Sequence, residues 1–317
     1  MEKISRTALT IFFGTLMTLA SAQQSSTPSP VPNLGTRLIR LQPEESAFNP
    51  SQKKVLSYRG RSLVITLING KKNLAVEVAN GSRPAETVQL PSEVVQVNEI
   101  SAAPNGKAIV LGMVNGTVYE VLILDTAPAV VADRFLAYYP AVSPDGRFIA
   151  FVKFYPAHFA DGIVDHFLLY DSLRSPSENR AASTIPLSDH TNVGQPVYPR
   201  IPNREGDNVD VSGPKHHMMA QGFFWQSDSR RYAFADDRDG EWAALLVSVA
   251  KDVPQVSSNP LNKTEFCASL HKESCNATLA GAELSPNGVL LDIRGVGADA
   301  SVVQFLRYDN QQFQPVQ

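Results

Sequence analysis

No stretch of this 317-residue chain stays apolar for the roughly 20 residues that a membrane-spanning helix needs. Basic residues never run beyond two or three, and the net charge is −3 with 19% charged residues. Nucleic-acid binding needs a clustered positive face, so that class is excluded. The pentapeptide Gly-x-Ser-x-Gly of the hydrolase nucleophile elbow is missing, as are HExxH and an EF-hand loop. Cysteine is scarce. The two present, Cys267 and Cys275, form no Cys-x-x-Cys, which removes the usual dithiol redox motif.

What is there begins with export. Lys3 and Arg6 precede the apolar stretch from Ala8 to Leu19, and Ala20-Ser21-Ala22 offers a small-x-small cleavage site before Gln23. That is the three-part layout of a secretory signal peptide over residues 1–22. Residues 23–45 (QQSSTPSPVPNLG and onward) are rich in Gln, Ser and Pro and read as a linker. The mature chain is expected to be periplasmic or secreted, monomeric, and without stable membrane insertion. In an oxidising compartment Cys267 and Cys275, eight positions apart, are expected to close a small disulfide loop. Asn80, Asn115, Asn262 and Asn276 open Asn-x-Ser/Thr sequons, which bear on glycosylation only in a eukaryotic host.

Residues 46–317 carry a repeat. Ala103-Pro104-Asn105-Gly106-Lys107 precedes AIVLGMV, and Ser143-Pro144-Asp145-Gly146-Arg147 precedes FIAFVKF. Gln226-Ser227-Asp228-Ser229-Arg230 precedes RYAFAD, and Ser285-Pro286-Asn287-Gly288 precedes VLLDI. Each copy closes on a second apolar strand, at Asp125, Asp171, Ser248 and Asp309. The distances are 125 − 104 = 21, 171 − 144 = 27, 248 − 227 = 21 and 309 − 286 = 23. Pro at a turn's first corner and Gly where positive φ is required reverse the chain between strands. A weaker copy is expected at Asn49-Pro50-Ser51-Gln52, with a hairpin turn at Asn69-Gly70. Turn-to-turn intervals are 54, 40, 83 and 59 residues, from positions 50, 104, 144, 227 and 286. A four-stranded blade takes about 40–45, so insertions fall near 156–166, 172–220 and 258–280. The 172–220 segment holds six prolines, poor strand material. It is expected to supply one outer strand around Ala181 to Pro186.

The segment Tyr139 to Val152 (YPAVSPDGRFIAFV), closing at Leu168-Leu169-Tyr170-Asp171, resembles the SPDG repeat of TolB-like, WD-repeat-like β-propellers. The resemblance implies an all-β ring of about five four-stranded blades, with room for a sixth, and almost no helix. It also implies periplasmic interaction modules or the screening domains of peptidases. A separate hydrolase domain has no place here, because neither the elbow nor βα alternation occurs.

Two constellations could carry chemistry. His158, Asp161, Asp165 and His166 crowd a hairpin tip, and His216-His217 lie in the insertion that follows, with His190 between. Imidazoles and a carboxylate on one face would make a metal site; the spacing fits an exposed polar hairpin and loop better. The run Asp236-Asp237-Arg238-Asp239-Gly240-Glu241 has the carboxylates for calcium but reads as a hairpin turn, and Phe223-Phe224-Trp225 reads as core. The expectation is a non-catalytic module binding a protein, peptide or envelope component, without cofactor or metal. The ligand-binding candidates are His158, Asp161, Asp165, His166, His216 and His217, on two insertions sharing one end of the sheets. The alternative is a metal-dependent lyase or hydrolase built on the same residues.

Overall fold

The computed structural model describes residues 47–58, 61–70, 72–116, 118–156, 163–183, 193–198, 217–238, 241–250, 253–264, 278–285, 288–294, 303–309 and 312–315. All of these belong to one compact unit, residues 40–316. Its strands form antiparallel meanders in simple sequence order. The first is β1 (Lys53–Tyr58), β2 (Arg61–Asn69), β3 (Leu74–Asn80) and β4 (Glu86–Gln89). The second is β5 (Gln96–Ala102), β6 (Ala108–Asn115), β7 (Val118–Thr126) and the first part of β8 (Ala129–Val142). The third takes the end of β8, then β9 (Phe148–Pro156), β10 (Ile163–Asp171) and β11 (Gln195–Tyr198). The fourth is β12 (His217–Trp225), β13 (Arg231–Arg238), β14 (Glu241–Ser248) and β15 (Gln255–Asn262). The fifth is β16 (Thr278–Ser285), β17 (Gly288–Arg294), β18 (Val303–Asp309) and β19 (Gln312–Pro315). Helix α1 (Pro176–Ala182) stands between β10 and β11.

The apolar runs of the middle strands follow from burial on both faces. Along β6, Ala108 and Val110 pack against sheet one, while Ile109 and Leu111 pack toward sheet three. Along β9, Ile149 and Phe151 face sheet two, while Phe148, Ala150 and Val152 join Tyr232, Phe234 and Leu245 of sheet four. A period of two with both sides covered is a strand sandwiched between sheets. Successive four-stranded sheets stacked in this way are the blades of a β-propeller. The first strands of neighbouring sheets touch: β1 with β5, β8 with β12, and β12 with β16.

The shortest interval, 40 residues, has a physical cause in β8. Residues 129–138 pair with β7 as the outer strand of sheet two, and residues 138–142 pair with β9 as the first strand of sheet three. One strand serves two sheets, so no connecting loop is needed. The change of partner falls at Tyr139, held at φ 49°, and at Pro140, which has no N–H to donate. Comparable register breaks interrupt three other first strands, at Asn98 of β5, between Ala220 and Phe224 of β12, and at Ala280 of β16, whereas β1 pairs with β2 without one. Each lies five or six residues before the turn, as 104 − 98 = 6, 144 − 139 = 5, 227 − 222 = 5 and 286 − 280 = 6.

Two expectations are corrected. Residues near Ala181 do not form the outer strand; they belong to α1, and the strand is Gln195–Tyr198. Ser175 caps the helix, accepting from the Glu178 N–H while the Glu178 carboxylate accepts from the Ser175 N–H, and Pro176 follows the cap. This is a capping box with Pro at a favoured position, strong enough to win locally over strand. The Asn49-Pro50 turn also lies before the first strand of its sheet, whereas every other turn joins first to second. The equivalent connection is at residues 59–60, between β1 and β2. Measured from there, the interval to the next turn is 104 − 60 = 44 residues, the usual length of a blade.

Candidate binding site at the turn end of the sheets

The recurring turns form one end of the sheets, and hydrogen bonds join them from blade to blade. Gly106 and Gly146 take φ 83° and 71°, and their N–H groups donate back to Ala103 O and Ser143 O. At the third copy Ser229 adopts φ 59° in place of glycine. Its hydroxyl explains the exchange: Ser229 Oγ accepts the Asp145 N–H of the preceding blade at 2.9 Å. Further along, Asn105 Nδ2 donates to Ser172 O at 2.6 Å, and Ser172 Oγ donates to Gly146 O at 3.1 Å. Three successive turns are thus tied to one another and to the end of β10.

The insertion after β10 is built on this end. Asn179 of α1 is 1% exposed and satisfies the backbone of Asp171 on both sides, donating to its carbonyl (2.9 Å) and accepting from its N–H (3.1 Å). Arg180 Nη2 donates to Asp133 Oδ1 at 2.5 Å, and Tyr170 Oη donates to Asp133 Oδ2 at 3.0 Å. The Asp133 side chain is 2% exposed, so a carboxylate of sheet two anchors a strand of sheet three and the helix together. Burial, then the Asp133 charge, raises the Tyr170 hydroxyl well above its ordinary range.

Beside α1 lies a pocket of about 220 Å³. Phe148, Leu169 and Val249 line it, all members of the core between sheets three and four. Arg147, Arg174, Glu178, Gln195, Leu173 and Pro254 contribute the rest with Asp171 and Asn179. Asp171 is fully engaged: Arg147 forks it, Nε to Oδ1 at 3.3 Å and Nη2 to Oδ2 at 3.0 Å, and the Leu173 N–H donates to Oδ1 at 3.0 Å. Arg174 stands further off, its Nε 3.9 Å from Asp171 Oδ2, beyond hydrogen-bonding reach. Glu178 is held anionic by hydrogen bonds from the Ser175 backbone and hydroxyl, which lower its pKa.

Of the candidates read from sequence, His158, Asp161, His190 and His216 lie outside the described residues, as do Cys267 and Cys275. Asp165 and His166 occupy β10, in register with Phe154 and Lys153. His217 opens β12 opposite Arg238. Strands β10 and β12 are in contact, but at its near end the insertion builds its contacts through Arg174, Glu178, Asn179 and Arg180. Sequence reading missed these four; the Ser175-x-x-Glu178 pattern was their available signal. Asp236 to Arg238 lie in β13 and Glu241 opens β14, leaving Asp239-Gly240 as the connection, the expected hairpin. Phe223 and Trp225 pack with Tyr232, as core. Among the described residues no group of three His, Cys, Asp or Glu is placed to hold a metal ion, and no helix is long and apolar enough to cross a membrane.

The chain is similar in fold to TolB and other β-propellers. A protein named as TolB from Agrobacterium tumefaciens matches 83% of this chain and 79% of its own length, at 14% identity and a TM-score of 0.36. TolB from Acinetobacter baumannii matches 82% of this chain and 54% of its own, at 10% identity and 0.27. The β-propeller domain of the Trilobed protease from Pyrococcus furiosus matches 85% and 83%, at 9% identity and 0.26. No family model and no curated protein matches. Likenesses of this size carry no argument about what the chain does.

Proposed function

We propose that this chain is an exported, monomeric, non-catalytic β-propeller that binds a protein, peptide or envelope component through its insertions. The observation that carries the reading is the segment after β10. Four-stranded sheets need only a tight turn there, yet this chain adds a capped helix and a pocket with an apolar floor and charged rim. Loops on a rigid scaffold are where binding usually sits. The rest of the insertion, residues 199–216, leaves from the Tyr198 end of β11. Tyr198 pairs with Phe167, toward the end where Pro156 meets Ile163. The tip carrying His158 and Asp161 and the segment carrying His216 are therefore attached at one end of sheet three, which supports a second contact region there.

The signal peptide at 1–22, cleavage before Gln23 and a Cys267–Cys275 disulfide belong to the same proposal. Affinity capture from the native envelope, followed by mass spectrometry of the mature N-terminus, tests it. A reproducible partner is expected, lost or weakened when His158, Asp161, His166, His216 and His217 become alanine or when Arg174 becomes glutamine. Capture of no partner above a scrambled bait, or an N-terminus still at Met1, overturns the reading.

A further inference from the structure

We infer that the pocket beside α1 takes a single apolar residue bearing a free carboxylate, as at the C-terminus of a peptide. This rests on the reading of the chain as a binding module and names the chemistry of its ligand. The volume comes first. At about 220 Å³ the pocket is below the roughly 300–1,000 Å³ of sites for drug-sized ligands, so its occupant is one residue rather than an extended group. The apolar part of the lining supplies the contact for the body of that residue: Phe148, Leu169 and Val249 are 5–7% exposed members of the core, beneath a lining that is otherwise polar. Leu173 stands 49% exposed at the rim, positioned to be covered by an apolar occupant.

Charge decides the head group. Asp171 is consumed by the Arg147 fork and the Leu173 N–H, so Arg174, whose charge also acts on Glu178, is the rim cation whose guanidinium does not hydrogen-bond Asp171. The Arg174 backbone N–H donates to Asp171 O at 3.0 Å, while its guanidinium Nε stands 3.9 Å from Asp171 Oδ2, too far for a hydrogen bond. A guanidinium presents its donors as a planar fork matched to a carboxylate, and Arg174 is 35% exposed, so a ligand can reach it. Glu178, the other ionised group of the rim, is bound by Ser175 and repels a second negative charge. The site therefore favours a monocarboxylate over a dicarboxylate. Stacking of Arg147 over Phe148 at 4.5 Å, and of Phe148 on Trp225 at 6.2 Å, keeps the floor fixed.

Isothermal titration of the full protein with N-acetyl-leucine, N-acetyl-leucinamide and N-acetylaspartate tests the assignment. N-acetyl-leucine is expected to bind in the millimolar range, and the amide about tenfold more weakly. The dicarboxylate is expected to bind more weakly than N-acetyl-leucine, and 1 M salt should lower the affinity of the carboxylate probe. Arg174→Gln should erase the difference between acid and amide while leaving the thermal melt unchanged, and Arg174→Lys should restore part of it. Equal binding of acid and amide, no binding of either, or an Arg174→Gln variant that still discriminates overturns the proposal. If the pocket fails while envelope capture still returns a partner released by the five-residue alanine variant, the ligand assignment is wrong and the binding-module reading stands.

Discussion

Replacing Tyr232 by phenylalanine is expected to stabilise this protein, whereas the same change at Tyr170 destabilises it. Both rings are buried between sheets. Tyr232 packs on Trp225 (4.6 Å between ring centres) and on Phe223 (5.7 Å), and among the described residues its buried hydroxyl has no hydrogen-bond partner. An unpaired buried hydroxyl costs about 1–3 kcal/mol. Removing it returns that amount, less the dispersion attraction forfeited where the oxygen leaves a small void, for a net gain of about 1 kcal/mol. Tyr170 donates instead to the buried Asp133 carboxylate, and a hydrogen bond to a charged group is worth about 1.5–3 kcal/mol. Its loss should cost about 2 kcal/mol, because Arg180 and the Arg134 N–H remain on Asp133. Burial raises both hydroxyls above the ordinary tyrosine pKa of about 10. A raised pKa means the neutral form is favoured in the fold. The stabilisation is therefore complete below about pH 10 and lost as pH climbs toward the folded values, at about 1.4 kcal/mol per unit and per tyrosine. Urea melts at pH 7 and pH 11 read both effects, with an unchanged slope confirming that only stability moved. At pH 11 each single variant should lose about 1.4 kcal/mol less than wild type, relative to pH 7. A Tyr232→Phe variant destabilised by 1 kcal/mol or more would show that its hydroxyl has a partner and refute the reasoning.

Three other outcomes follow from the turns and the cysteines. Gly146→Ala would place a Cβ 1.7 Å from Ala102 O at φ +71°, whereas at Gly116 (φ +53°) nothing lies within 4 Å. Urea melts should show a loss of about 3 kcal/mol or more for the first and only the backbone cost of about 1–2 kcal/mol for the second. Ser229→Ala loses the acceptor of the Asp145 N–H in a left-handed position and should cost about 2 kcal/mol; Ser229→Gly relieves the backbone and should cost about 1. Thiol labelling of protein from the export compartment should find Cys267 and Cys275 unreactive, and reduction should lower stability by at most about 2–3 kcal/mol.

The repeat was legible because two local rules coincide in it. A Pro-Asn-Gly or Pro-Asp-Gly turn reports a reversal, and the apolar run after it reports a strand covered on both faces. Ile109 and Leu111 on one side of β6, with Ala108 and Val110 on the other, show why that run has no polar alternation. The fusion of two blades through β8 was not legible, because it depends on one backbone position. Nothing in the letters Tyr138-Tyr139-Pro140 announces φ 49° at the middle residue. The first turn was misplaced for a related reason: Asn49-Pro50 is good turn chemistry, but turn chemistry does not say which two strands it joins.

The pocket shows why function was harder to read than fold. Histidine density singles out 158–166 and 216–217, since imidazole is rare in this chain and versatile. The groups the structure brings together are commoner residues whose meaning is relational. Arg174 matters because Arg147 has already claimed Asp171, which no spacing reveals. Asn179 matters because its amide matches both backbone groups of one residue, eight positions away, from a helix where a strand was expected. The one local clue was the capping pattern from Ser175 to Glu178, and it would have moved the outer strand past residue 190. With a helix there, the segment after Asp171 must fold back over the strand ends to begin β11. An Arg and a Glu in its first turns are then forced to the rim of whatever gap remains between sheets three and four. A repeat protein advertises its scaffold in every blade, and the pocket lies beside the longest of the segments that break the repeat.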